Sequence, residues 1–254
     1  MWYLLNLYSI FTCTFVIHMK VAGIIEESKN HHPGSLSYVI YSQGCNFKCH
    51  YCYNSPSARI FDPENNTESK IDEIISFLEK NKEKYDAVVL SGGEPTMNND
   101  LPDVLKRIKA TGLFVRLETN GTFPKMLSAI VNEKLVDYVA MDIKAPLDSD
   151  KYKDIVGVSI STSQLGKINQ SIRILTRSGI DYEIRTTLIK QKHSFHDILD
   201  ICNTIVGCKR YCLQEFDADI AHDKTYTNFS AYTPQELSRM IKAINPEIKE
   251  VLFK

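Results

Sequence analysis

The chain has 254 residues, 43% hydrophobic and 24% charged, the proportions of an ordinary globular protein, which exclude disorder, collagen and coiled coil. Thirty Lys and Arg stand against 31 Asp and Glu, so there is no basic excess to hold a phosphate backbone, and nucleic acid is not expected as a ligand. Of the seven cysteines, Cys45, Cys49 and Cys52 are bunched and Cys13, Cys202, Cys208 and Cys212 are scattered. That distribution reads as metal or redox chemistry in a reducing compartment, the cytoplasm, rather than as a disulfide framework.

Residues 1–18 form an apolar extension containing Trp2, the one tryptophan, and interrupted by Asn6, Ser9, Thr12 and Thr14. It lacks the charged start of a signal peptide and an unbroken run of about 18 apolar residues, so no membrane span is expected. Three readings of the extension remain, a weak membrane anchor, an extra N-terminal element or a start placed too far upstream with Met19 as the first residue, and residues 19–254 read as one domain, without a linker or low-complexity tract. After the loop His31-His32-Pro33-Gly34, one pattern repeats six times: a short apolar run, a loop and an amphipathic helix. The runs are Leu36–Tyr41, Ala87–Leu90, Leu113–Leu117, Val136–Met141, Ile180–Leu188 and Tyr211–Leu213. The helices that follow carry apolar residues at i, i+3, i+4 and i+7, as at Ile71, Ile74, Ile75 and Leu78, and the last opens with the capping-box pair Thr233 and Glu236. Alternation of this kind predicts an α/β fold of parallel strands, apolar on both faces and covered by helices, while open sheet and barrel remain alternatives.

Cys45-Asn46-Phe47-Lys48-Cys49-His50-Tyr51-Cys52 follows the first run. Three thiolates at this spacing can ligate three irons of a four-iron cluster and leave one iron open. A zinc site, completed by His50, Cys208 or Cys212, is the alternative. Ser91-Gly92-Gly93-Glu94-Pro95 follows the second run, where glycines allow close backbone approach and a carboxylate can receive an ammonium group. Ligand sites of parallel α/β folds lie beyond the carboxyl ends of the strands. The remaining runs end on Glu118-Thr119-Asn120, Asp142 with Lys144, Arg185 with Thr186 and Thr187, and Gln214 with Glu215, which outlines one pocket.

The CxxxCxxC with aromatic Tyr51 before its last cysteine, together with Gly92-Gly93-Glu94-Pro95, resembles the radical S-adenosylmethionine enzymes over about residues 19–216. Within them, Gly44 through Cys52 with Asn54, Asp142-Ile143-Lys144, Tyr211–Phe216 and the start Met19–Ile24 resemble the activases of glycyl radical enzymes, most of all those of anaerobic ribonucleoside-triphosphate reductase. The second-cluster cysteines of some activases have no counterpart before Lys70. The resemblance implies a partial (β/α)6 TIM-like barrel and a [4Fe-4S] cluster on Cys45, Cys49 and Cys52. It implies S-adenosylmethionine held by Gly92, Gly93 and Glu94 at its amine, by Thr119 and Asn120 near the ribose, and by Lys144 and Asp142 at its carboxylate, with Arg185 lining the cofactor or substrate; Lys144 and Arg185 are the candidate catalytic side chains. One-electron cleavage would give a 5′-deoxyadenosyl radical that takes a glycine α-hydrogen from the partner enzyme, with flavodoxin or ferredoxin as electron donor. The alternatives are a small-molecule enzyme like the 7-carboxy-7-deazaguanine synthases, or an activase of another glycyl radical enzyme such as pyruvate formate-lyase. The scattered cysteines read as core residues, and His31, His32, His193 and His196 as surface or loop histidines.

Overall fold

The computed structural model describes residues 19–253, apart from 33, 53, 55–67, 222, 245 and 246; the apolar extension 1–18 and Cys13 lie outside the described residues. The strands are β1 (Val21–Ser28), β2 (Ser37–Ser42), β3 (Ala87–Gly92), β4 (Phe114–Thr119), β5 (Tyr138–Asp142), β6 (Asp181–Leu188), β7 (Arg210–Glu215) and β8 (Glu250–Phe253). The helices are α1 (Glu68–Asn81), α2 (Leu101–Ala110), α3 (Pro124–Asn132), α4 (Ser149–Val156), α5 (Thr162–Arg177), α6 (Phe195–Thr204) and α7 (Pro234–Ala243). All eight strands form one sheet in sequence order. From β2 to β8 every neighbour is parallel, while β1 returns antiparallel along β2. The six expected strand–helix repeats are present, and the sheet is the partial barrel of the expected α/β class.

Three elements exceed the sequence reading. β1 carries Gly23 and exposed Ile24 and Ile25 at a sheet edge, so its two-residue alternation is blurred. β8 has four residues, too few for periodicity to register. α4 is one helix of eight residues, capped by the Asp148 carboxylate on the amides of Asp150 and Lys151 and ended by Gly157 at φ +68°. A Cβ at Gly157 would press on the Lys48 carbonyl oxygen, 2.5 Å away, so this glycine lets α4 dock on the cysteine loop.

The helix-facing side of the sheet is apolar, with Tyr38, Ile40, Val88, Leu90, Val115, Leu117, Val139, Met141, Ile184 and Leu213 joining the core beneath the helices. Successive strand residues point to opposite faces, and the inner face departs from the expected apolar run. Arg116 and Glu118 on β4, and Glu183, Arg185 and Thr187 on β6, all turn into the barrel interior. The helices thus pack on one hydrophobic surface, while the concave surface mixes these polar groups with apolar Val39, Val89 and Ala140.

Candidate active site

The cysteine loop, the ends of β3 to β7 and the β1–β2 loop enclose a single cavity of about 350 Å³. Its walls contain Cys45, Cys49, Cys52, Gly92, Gly93, Glu94, Thr119, Asn120, Asp142, Lys144 and Arg185. Every residue that the resemblance assigns to the cluster or to S-adenosylmethionine is therefore brought together. Thr186 and Glu215 do not line it, because alternation along the strand turns each away from its lining neighbour: Thr187 and Gln214 point in, and Thr186 donates its hydroxyl to the Ile143 carbonyl at 2.9 Å.

The cysteine loop is laced to its surroundings by main-chain bonds. Gly93 N donates to Ser42 O at 2.9 Å and Glu94 N to Gly44 O at 2.8 Å, which joins the ends of β2 and β3. Gly92 sits at φ +120°, and a Cβ there would run into the Ser42 backbone, so no side chain fits. Asn54, two residues past the last cysteine, donates to the Gly92 carbonyl. On the other side, Lys48 N donates to Val156 O at the end of α4, and Asp223 N to His50 O. Asn46 donates to Thr122 Oγ1 at 3.1 Å and accepts from Asn120 Nδ2 at 2.9 Å, tying the loop to the end of β4.

Glu94 is 1% exposed. Its carboxylate accepts the Thr119 hydroxyl at 2.7 Å, Asn120 N at 2.6 Å, Thr96 N at 3.1 Å and the Thr96 hydroxyl. Burial raises its pKa, and these four donors pull in the opposite direction. Three of them fall on Oε1 and one on Oε2, so Oε2 retains acceptor capacity. Thr119 and Asn120 thus brace Glu94 and the cysteine loop as well as lining the wall.

The floor is a chain of alternating charges. Arg185 donates from Nε to Asp142 Oδ1 at 2.7 Å and from Nη1 to Glu118 Oε1 at 2.8 Å. Lys144 Nζ reaches Asp142 Oδ2 at 2.9 Å, Ser91 donates to Glu118 Oε2 at 2.9 Å, and Arg116 pairs with Glu183 at 2.7 Å. Burial alone would raise the carboxyls of Asp142 and Glu118, but neighbouring cations outweigh it and hold each down to about 2. For Lys144, burial works against the charge and Asp142 more than offsets it, so the ammonium is stabilised. Arg116, Glu183, Asn30, His31 and Tyr41 also line the cavity and escaped the sequence reading. The i, i+2 pairs Arg116–Glu118 and Glu183–Arg185 inside buried strands are the signal that could have found Arg116 and Glu183.

The donor set fits an iron–sulfur cluster. Three thiols share the cavity wall, and burial pushes Cys45 up to about 12 and Cys49 to about 11. Such thiols ionise only against positive charge placed in the cavity, which cluster irons supply. None of the three residues considered as a fourth zinc ligand lines the cavity: His50 turns Nδ1 to Asp223 Oδ2 at 2.9 Å and stacks on Tyr226. Cys208 and Cys212 are fully buried and do not line the cavity. Among the described residues, no group of three or more His, Cys, Asp and Glu converges as the ligands of a single ion would. His193 lies in a loop, as expected, but it is 1% exposed with both ring nitrogens bonded to main chain. No helix among the described residues is long and apolar enough to cross a membrane.

The model of the radical SAM superfamily matches residues 39–205. A Methanocaldococcus jannaschii protein provisionally assigned as a glycyl-radical enzyme activating enzyme is 32% identical over 92% of this chain and 95% of its own length. The pyruvate formate-lyase-activating enzyme of Staphylococcus epidermidis is 29% identical over 49% of this chain and 52% of its own. Among solved structures, Streptococcus suis SuiB bound to S-adenosylmethionine superposes with a TM-score of 0.62 at 18% identity, over 85% of this chain and 49% of that one. A radical SAM methyltransferase from Sphaerobacter thermophilus gives 0.65 at 15% identity, over 87% of this chain and 67% of that one. This chain spans about half the length of SuiB and of the staphylococcal relative, and likeness at such identities concerns the fold alone. On the matched model, which covers most of the barrel, and the near full-length relative, the chain belongs to the radical SAM superfamily, among its glycyl-radical-enzyme activating enzymes.

Proposed function

We propose that the protein installs a glycyl radical on a partner enzyme, with anaerobic ribonucleoside-triphosphate reductase as the partner, S-adenosylmethionine as cosubstrate and a [4Fe-4S] cluster on Cys45, Cys49 and Cys52. The observation that carries this reading is the shared cavity: three thiols, the Gly92-Gly93-Glu94 turn and the polar ends of β4, β5 and β6 face one space. Cys45, Cys49 and Cys52 would hold the cluster, which together with S-adenosylmethionine would supply one-electron reductive cleavage and hydrogen-atom abstraction from the partner's glycine.

The chain's own residues hold and orient. Gly92 and Gly93 keep the turn beside the cysteines free of side chains. The Oε2 side of Glu94 is available to an ammonium donor. Lys144, its charge held by Asp142, is the carboxylate partner, and Arg185 fixes Asp142 from the opposite side. The expected electron donor is a low-potential flavodoxin or ferredoxin, and the expected compartment is the cytoplasm. Residues 19–254 act as the catalytic domain.

The test is to incubate the reduced, reconstituted protein with S-adenosylmethionine and the reductase under anaerobic conditions and record the EPR spectrum. A glycyl radical doublet that requires Cys49 is expected. Formation of 5′-deoxyadenosine without a radical on the reductase, nor on pyruvate formate-lyase, would favour a small-molecule substrate instead.

A further inference from the structure

We propose that His193 is a positioning residue that sets the place of Lys144 in the cavity; the inference rests on the reading of Lys144 as a ligand of S-adenosylmethionine. β5 ends at Asp142, and the last ladder bond beyond it runs from Ile143 N to Arg185 O. Lys144 therefore lies past the sheet, and side chains from two other segments hold its main chain. Its amide donates to the hydroxyl of Tyr152, a fully buried residue of α4, at 3.1 Å. Its carbonyl oxygen lies 2.8 Å from Nε2 of His193, in the loop between β6 and α6 and 49 residues further along the chain.

The geometry assigns the histidine proton. A carbonyl oxygen only accepts, so Nε2 carries hydrogen. Nδ1 receives the amide of Ile189 at 3.1 Å, so it carries none. Protonating the ring would set two donors against each other at Nδ1. The neutral Nε2–H tautomer is thus the one that closes both bonds, and the loop that presents it is fixed by His193 N on Ile189 O at 2.8 Å and by the Tyr232 hydroxyl on the His193 carbonyl. With Tyr152 on one side and His193 on the other, the peptide planes at Lys144 have one orientation, and from it Nζ meets Asp142 Oδ2. His193 touches no reacting atom and acts through this main-chain grip.

Two substitutions separate the halves of the ring. In His193→Gln the amide nitrogen replaces Nε2 and keeps the bond to Lys144; in His193→Asn the amide oxygen replaces Nδ1 and keeps the loop alone. Binding of S-adenosylmethionine to the reconstituted protein is measured by equilibrium dialysis, beside iron content and the thermal midpoint. Expected are a weakening of about 10-fold in His193→Asn, the scale of one hydrogen bond to a charged or well-placed group, and recovery to within about 3-fold of wild type in His193→Gln. In a Lys144→Ala background His193→Asn should add no further loss. Wild-type affinity in His193→Asn, equal loss in both variants, or full additivity with Lys144→Ala would overturn the proposal. Equal affinity of wild type and Lys144→Ala would instead remove Lys144 from the site, and the inference with it. Nitrogen NMR of 15N-histidine-labelled protein gives an independent reading near pH 7: a neutral Nε2–H ring is expected, and an imidazolium or an Nδ1–H ring would contradict the grip.

Discussion

Arg185 and Asp142 meet through Nε and Oδ1 at 2.7 Å, on the same carboxylate whose other oxygen takes Lys144. Asp142 is thus shared by two cations in a largely buried place, and its removal leaves Lys144 without that partner. Asp142→Ala should destabilise the chain by about 3–5 kcal/mol, the usual cost of stranding a buried charge, read as a lowered urea midpoint; an unchanged midpoint would show that the pairs carry no net stability. Lys144→Ala should keep its iron and weaken S-adenosylmethionine by about 10- to 150-fold, equivalent to one charge-assisted hydrogen bond. Dialysis against the labelled cosubstrate checks this, and unchanged affinity would contradict the carboxylate role.

Gly92→Ala tests the turn. A side chain at φ +120° is strained in its own backbone and also meets the Ser42 main chain. The expected loss is about 1–3 kcal/mol from the conformation and more from the collision, with poor iron retention because the Ser42–Gly44 strand end leads straight into Cys45. Wild-type stability and four irons in this variant would contradict the role given to the close approach.

The pH dependence of the cluster-free chain follows from the buried groups. Asp142 and Glu118 are held at about 2 in the folded state, below their ordinary values, so their stabilisation is present above about pH 4.5 and fades as pH falls toward 2. Burial depresses the His193 pKa, so the fold also loses stability as pH falls below about 6.5, the ordinary histidine value. Glu94, raised by burial, works in the opposite sense and against the two other carboxylates. At the alkaline end, the buried thiols of Cys45, Cys49, Cys202 and Cys208 have raised pKa values, so stability should decline once pH passes about 8.5, the ordinary thiol value. Urea midpoints from pH 3 to 10 should form a plateau between about 6.5 and 8.5; a maximum below pH 5 would contradict these assignments.

The buried pair Arg116–Glu183, both under 4% exposed and 2.7 Å apart, gives a further check at the floor of the barrel. Glu183→Ala should cost about 3–5 kcal/mol by leaving Arg116 with the weaker 3.4 Å approach to Glu118 and the face of Tyr138, while the cysteines and their iron are unaffected. Loss of iron in parallel with stability would mean that the floor and the cysteine loop are one cooperative unit.

Much of this was legible in the residues. The six strand–helix repeats survive because their apolar spacing is long and regular, and the site residues from Cys45 to Arg185 could be gathered because parallel strands deliver their carboxyl ends to one face. β1 and β8 were not legible, being an edge strand with exposed Ile24 and Ile25 and a four-residue strand. Arg116 and Glu183 were hidden by the expectation of strands apolar on both faces, whereas the barrel interior makes room for paired charges. His193 was hidden for a different reason: nothing local marks a loop histidine whose partner carbonyl lies 49 residues away. The double duty of Glu94, which accepts four bonds from its own surroundings, likewise depends on Thr119 and Asn120 arriving from another strand.

On the proposed function, Cys45, Cys49 and Cys52 hold the cluster that acts on S-adenosylmethionine in this cavity. The most direct measurement is 5′-deoxyadenosine produced by the anaerobically reconstituted, reduced protein, set beside Cys49→Ala. Product from the wild type and none from Cys49→Ala is the expected result. No product from a wild-type chain shown to hold four irons, or equal product from a cluster-depleted Cys49→Ala, would contradict it.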